Sequence, residues 1–303
     1  MGLACRIGRQ APLPGGGMAA IPKKIGEGKL IPVTSNLEKL PWWALMIALL
    51  AVLIVFSILT SPIYKDAFNF IKAGIVTTIR VTVIAYGLSL IGGLIVGLGR
   101  VSKNVVFYNL STLYVEVMRG IPMLVIILYG AFVVVPMSLD LINGIGDWLV
   151  RIVPLAGLGR TLQQINIQQV DMSARATAGL AMGYAAFEAE VFRAGIISIE
   201  KGQMEAARSL GMNYIQAMRY VILPQALRRV LPPLGNDLIA MLKDSSLISA
   251  LAVSDITQLG KLYRASTFRS FEAYNTMAFL YLSMTLSLSM LVKFIERKMG
   301  HER

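Results

Sequence analysis

The chain is 303 residues long, 55% hydrophobic and only 15% charged, with a formal net charge of +12 and a mean hydropathy of +0.64. A soluble domain carries about a quarter charged residues, and the apolar residues here gather in runs that a water-facing fold could not cover. Composition therefore excludes a soluble globular protein and points to an all-α integral membrane protein. The basic excess matches Lys and Arg collected in cytoplasmic loops. No basic patch interleaved with aromatics stands on a soluble module, so no nucleic-acid partner is expected.

Residues 1–41 are polar and Gly/Pro-rich, with no apolar h-region or small-residue cleavage site ahead of Trp42. They read as a disordered cytoplasmic tail, not a signal peptide. The lone cysteine, Cys5, lies in this tail and the lone histidine, His301, at the other end of the chain. A His/Cys metal site needs three or four converging ligands, so none is expected.

A helix needs about 20 apolar residues to cross the hydrocarbon core. Residues 42–60, opened by the interfacial pair Trp42-Trp43, form the first such run and an uncleaved anchor. Val76–Leu98 follows, interrupted by Arg80. Ile121–Pro136 is short but has an amphipathic lead-in from Val105, and Leu139–Arg160 is expected to lie along the outer surface as an amphipathic segment. Ala174–Ile197, Val230–Val253 and Tyr274–Phe294 complete about six transmembrane helices. Arg100 and Lys103, the basic residues of 198–226 and those of both tails outweigh the opposite side. This places the termini, including the 298–303 tail, in the cytoplasm. No internal repeat is visible.

Charged and polar residues inside these runs mark places where a helix faces the bundle or water. Glu190 and Arg193 are spaced for an i, i+3 ion pair, as are Glu116 and Arg119 just before Gly120 and Pro122. Glu188 lies about 200° around the helix from Glu190, at 100° per residue. Two readings stand for Glu188: it lines a central path, or it partners a polar group on another helix. Pro232-Pro233 with the polar residues after them suit a helix broken where it lines a cavity. Asn236, Lys243 and Ser245 there, and Tyr184 ahead of Glu188, are candidates for the same path. Inter-helix hydrogen bonding is the plainer alternative for Asn236.

The stretch 202–225, GQMEAARSLGMNYIQAMRYVILPQ, is polar between two apolar runs. Gly202 can open a short helix with Glu205 in its first turn. Ala206 and Ala207 favour helix while keeping the surface small, and Gly211 supplies a left-handed stop. A second piece, Asn213–Leu223, ends at Pro224. An amphipathic loop resting on lipid headgroups would also fit this spacing.

This stretch resembles the EAA loop of ABC-importer permeases. It carries Glu205-Ala206-Ala207, then Gly211, then Val221-Ile222-Leu223-Pro224, with Val221 in place of the usual isoleucine. Flanking residues resemble the polar amino-acid branch: Ala186 to Gly195 (AFEAEVFRAG), Pro224-Gln225-Ala226-Leu227-Arg228, Lys243 to Leu247, and Arg119-Gly120-Ile121-Pro122. Phe187 stands where tyrosine is usual, and Ala194 replaces a glycine. The similarity covers residues 70–297. The resemblance implies a type I importer permease: a core of five helices, here preceded by one N-terminal helix, in the bacterial inner membrane.

In that family the loop 198–226 docks on the ATP-binding subunit, which makes Gly202, Glu205, Ala206, Ala207, Gly211, Leu223 and Pro224 the coupling residues. The implied partners are a pair of ATPase subunits, a second copy or a similar permease, an extracytoplasmic solute-binding protein and a polar amino-acid substrate. ATP and Mg would be used by the ATPase, since this chain has no G-x4-G-K-[ST] phosphate loop, and no cofactor is expected in the chain itself. No catalytic residues are expected: it has no Ser/His pair and no HExxH. The same architecture could carry opines or other small zwitterions, and an ion-coupled secondary transporter is the alternative from another class.

Overall fold

The structure, a computed structural model, describes residues 42–152, 156–164 and 166–298. The tail 1–41, Cys5, and residues 299–303 with His301 lie outside the described residues. Contacts divide the chain between Leu50 and Ala51, inside the first helix, α1 (Trp42–Thr60). The described part of the first unit is Trp42–Leu50. Beyond the turn of Ser61, α1 gives way to α2 (Pro62–Ile71).

From there the second unit runs through α3 (Gly74–Arg100), α4 (Val105–Gly120), α5 (Met123–Tyr129), a π turn at Gly130–Val134, α6 (Val135–Val150) and α7 (Ala156–Gln163). After a 3-10 turn at Ile167–Gln169 come α8 (Met172–Ile197), α9 (Lys201–Ser209), α10 (Tyr214–Ala217) and a π turn at Met218–Ile222. Then follow α11 (Leu223–Asp244), a 3-10 turn at Ser245–Leu251, α12 (Ile256–Thr267) and α13 (Ser270–Lys298).

Each expected apolar run is helical over most of its described residues. Among the described residues, three helical stretches are long and apolar enough to cross a membrane by themselves: Pro62–Arg100, Met123–Val150 and Ser270–Lys298. α8 and α11 have 26 and 22 residues; α8 is buried among other helices over much of its length, while α11 buries one face. Ala176, Leu180, Ala181 and Tyr184 of α8 form the core with Val81 and Ala85 of α3, Ile127 of α5 and Met241 of α11. A helix ringed by protein can carry small and polar residues that one facing lipid cannot.

α8 runs parallel to α3. A Cβ placed on Gly93 would lie 2.8 Å from the Glu188 Cβ, and one on Gly97 3.0 Å from the Phe192 Cβ. The other face of α8 meets the α5 turn, where Gly130 and Gly179 abut: a Cβ on Gly179 would lie 2.8 Å from the Ile127 Cα. A second cluster, Ala67 and Ile71 with Ile256, Tyr263, Ala273 and Met277, ties α2 to α12 and α13. Asp255 anchors it, fully buried, accepting from Gln258 N–H at 2.8 Å and the Tyr281 hydroxyl at 3.1 Å. Burial raises the pKa of this carboxyl against those hydrogen bonds.

Two expectations change. Residues 139–160 are not a single segment lying flat. Met123–Val150 is one run of 28 residues, about 42 Å at 1.5 Å per residue, and α7 folds back on it at Gly146 and Gly159. Glycine on both sides of the contact lets the two helices close into a hairpin, while Leu141, Ile145 and Trp148 stay exposed. Nor is the helix broken at Pro232-Pro233, which lie inside α11. Neighbours hold the helix through the missing bonds: Val230 lies against Gly195, and Val292 against Gly235. The regular ladder gives way to the 3-10 turn only at Ser245.

Gly179→Ala should cost about 1–3 kcal/mol through overpacking, read as a lowered melting temperature in detergent. Gly87→Ala meets nothing within 4 Å and should be neutral or stabilise by up to about 1 kcal/mol.

Candidate functional site

The stretch 202–225 folds as an elbow. α9 closes with the Gly211 N–H donating to the Arg208 carbonyl at 3.0 Å and the Met212 N–H to the Ala207 carbonyl at 3.2 Å, a pairing that requires a left-handed residue between them. Gly211 supplies it, with φ +83°. Asn213 then opens α10 by a reciprocal cap: its side chain accepts from the Gln216 N–H at 2.8 Å, and the Gln216 side chain from the Asn213 N–H at 2.9 Å.

Two details differ from the sequence reading. Glu205 lies outside the first turn of α9, because the helix already begins at Lys201. Pro224 does not end the second helix. α10 passes through the π turn into α11, and Pro224 sits in the opening turn of α11. The wider π spacing re-registers the ladder just where proline lacks an N–H to give.

The two faces of the elbow are unequal. Ala207 is 4% exposed and turned toward its own chain, whereas Leu210 and Ile215 are 81% and 74% exposed and Ala206, Gly202, Leu223 and Pro224 are open. Small residues beside two bare apolar side chains make this a surface suited to a protein partner. Leu210 and Ile215 were not picked out from the sequence; their place at a helix end and on an exposed face becomes visible only with the turn built. Behind the elbow, Ile199, Ile222 and Ala226 cluster, and Gln225 donates to the Gln203 side chain at 3.3 Å.

Two to three turns before the elbow lies a charged junction. The Glu190 carboxylate accepts from Arg193 Nε at 3.1 and 3.0 Å, the i, i+3 pair expected. It also accepts from Arg100 at the end of α3. The expected Glu116–Arg119 pair is not formed. Glu116 lies 3.7 Å from the Arg100 guanidinium, and Arg119 stands 5.8 Å over the Phe187 ring. The chain turns extended at Ile121, and Arg119 packs onto α8 there. Arg100 thus bridges α4 and α8, a role its place at a helix end concealed.

The expected path residues divide into two sets. Glu188 is fully buried and accepts from the Ser89 hydroxyl of α3 at 2.8 Å; its other oxygen has no partner among the described residues. Tyr184 donates to Asp244 at 2.8 Å, and Ser245 is buried, bonding to the Leu242 carbonyl. Asn236 and Lys243 instead lie on the exposed face of α11. Ser89 and Asp244 were missed, because their meeting with Glu188 and Tyr184 depends on how three helices pack.

Residues 89–301 match the family of binding-protein-dependent transport system inner membrane components. A probable glutamine ABC transporter permease protein, GlnM of Bacillus subtilis (strain 168), is 35% identical over 234 residues, covering 77% of this chain and 95% of the relative. The glutamine transport system permease protein GlnP of Escherichia coli (strain K12) is 31% identical over 222 residues, 73% of this chain and 89% of the relative. A crystal structure of an amino acid ABC transporter with histidines superposes with a TM-score of 0.61 at 32% identity, covering 78% of this chain and 95% of that one. An inward-facing methionine ABC transporter, MetNI, shares the fold at 20% identity and a TM-score of 0.56, covering 77% and 97%.

Arg100→Gln should destabilise the solubilised chain by about 1–3 kcal/mol, the range for losing a charge-assisted hydrogen bond. Glu116→Gln, 69% exposed at its side chain, should change stability by less than about 1 kcal/mol. Melting curves of the two variants side by side check the order.

Proposed function

The chain belongs to the binding-protein-dependent transport system inner membrane components, the non-catalytic permease subunits of ABC importers, and from that membership we propose that it imports polar amino acids by alternating access driven through the elbow at 202–224. The observation that carries this reading is the elbow itself, a turn fixed by the left-handed Gly211 with Leu210 and Ile215 bare beside it. A surface of small and apolar groups on a rigid turn fits a cleft on another subunit. Relatives at 35% and 31% identity that bear glutamine in their names support the cargo class.

On this reading the chain works with a pair of cytoplasmic ATPase subunits, which use ATP and Mg, with a second copy of itself or a similar permease, and with an extracytoplasmic binding protein that delivers substrate. Both termini and the elbow face the cytoplasm, following the Lys/Arg bias. When the ATPase pair closes, the elbow follows, and α8 and α11, which leave it in opposite directions along the chain, shift with it. Tyr184, which reaches Asp244 of α11, lies on the α8–α11 seam that this shift opens, and the unpartnered Glu188 oxygen one turn along α8 is offered to the substrate ammonium.

Proteoliposomes with the ATPase, the binding protein and labelled glutamine, glutamate, arginine or histidine test the proposal. Accumulation should require ATP. Uptake driven by an ion gradient without the ATPase would contradict it. Ala206→Arg, on the open face, should lower both ATPase attachment and uptake about tenfold or more, the loss of about 1.4 kcal/mol of binding. Glu188→Gln should slow uptake and change the order of preference among the four substrates; an unchanged rate and order would remove Glu188 from the path.

A further inference from the structure

Arg80 is the only charge in α3 before its last residue. It is exposed and makes no ion pair among the described residues. A charge at mid-bilayer costs about 2.5–3.5 kcal/mol on insertion scales. Arg80 sits near the outer end of its span, where its guanidinium can reach water, a headgroup or a ligand.

Across from it, Asp171 caps α8, one carboxylate oxygen accepting from the Ala174 N–H at 3.0 Å and the other left over. The turn ahead of Asp171 is pinned by Arg175, which donates to the Val170 carbonyl at 2.9 Å and the Ile167 carbonyl at 2.6 Å. Arg80 and Asp171 line one cavity of about 200 Å³ together with Ser173, Thr177, Ile84 and Leu88. Although they share this cavity, they do not pair across it.

We propose that this cavity holds the head group of a zwitterionic α-amino acid, its carboxylate on the Arg80 guanidinium and its ammonium on Asp171. The guanidinium fork matches a carboxylate with two parallel bonds. Asp171 accepts from the ammonium and repels a dianion, while Arg80 repels a dication, so the pair selects a molecule carrying both charges. Ile84 and Leu88 offer an apolar wall to the carbon skeleton. The volume is below the roughly 300–1,000 Å³ of drug-sized pockets and suits a small metabolite. The site lies about 25 Å along α8 from Glu188, at 1.5 Å per residue, at the end away from the elbow, where a binding protein would deliver its load. The inference rests on the amino-acid reading and names where the cargo is first gripped.

Equilibrium binding of tritiated glutamine, glutamate, arginine and histidine, each alone, to the purified permease–ATPase complex tests it, with the α-amides as competitors. The wild-type complex should prefer the free acid over the amide by about tenfold or more, as expected for a charge-assisted pair. Arg80→Gln should bind the acid about tenfold more weakly and lose the preference, while Arg80→Lys keeps part of it. Asp171→Asn retains a good helix cap and so tests the ammonium side independently of folding: it should lose about tenfold and cease to discriminate against N-acetylated analogues. A variant that melts like wild type yet keeps the full preference would overturn the site. Wild-type uptake of none of the four amino acids would instead overturn the cargo reading and this site with it, an outcome distinguishable from normal uptake with an unaltered Arg80→Gln.

Discussion

The structure depends on the close approach of two parallel helices, α3 and α8. Their backbones meet through Gly92, Gly93 and Gly97 on one side and Ala185 and Ala189 on the other. In a membrane no hydrophobic driving force separates helix from lipid, so association rests on close packing and interhelical hydrogen bonds. The seam has both: small residues throughout, and the Ser89–Glu188 bond at its centre. Because α8 also packs against α5 and α11, it becomes the central rod of the bundle. Its two ends then carry the features that matter, Asp171 at one and the charged junction and elbow at the other.

Much of this was legible in the sequence, and the failures share a cause. Helical runs announced themselves by length and apolarity, and the stop at Gly211 by the left-handed conformation that glycine adopts at no steric cost. The Glu190–Arg193 pair followed from spacing within one helix. Arg100 bridging Glu116 and Glu190, or Tyr184 reaching Asp244, could not be read, because such meetings depend on the register between helices. Pro224 and Pro232-Pro233 misled for a related reason. Proline weakens a helix on its own, but the π turn accommodates Pro224, and the packing of Val230 and Val292 holds α11 together although the bonds at Pro232-Pro233 are missing. The hairpin of α6 and α7 was hidden because its contact runs through Gly146 and Gly159, whose small size allows the approach but leaves no apolar pattern along the chain.

The arrangement also explains how force could travel. α9 and α10 are too short to hold themselves together in water; caps, the pairing at Gly211 and the Ile199–Ile222–Ala226 cluster make them one rigid piece. That piece is continuous with α8 on one side and α11 on the other. Arg100 fastens the last turn of α3 to α8 about three turns before the elbow, so on the proposed mechanism displacement of the elbow would reach α3 as well, while α12 and α13, gathered around Asp255, form a separate cluster.

The central claim is that α3 and α8 move as one body when the elbow is displaced. Spin labels at Ile95 and Ile197, both exposed, in a Cys5→Ser background that removes the lone cysteine, would report the distance across this pair in the assembled transporter. The distance should stay within about 2 Å between the nucleotide-free and ATP-bound complexes. A larger change, with transport intact, would mean that the two helices slide past each other, and the rigid-rod account would be wrong.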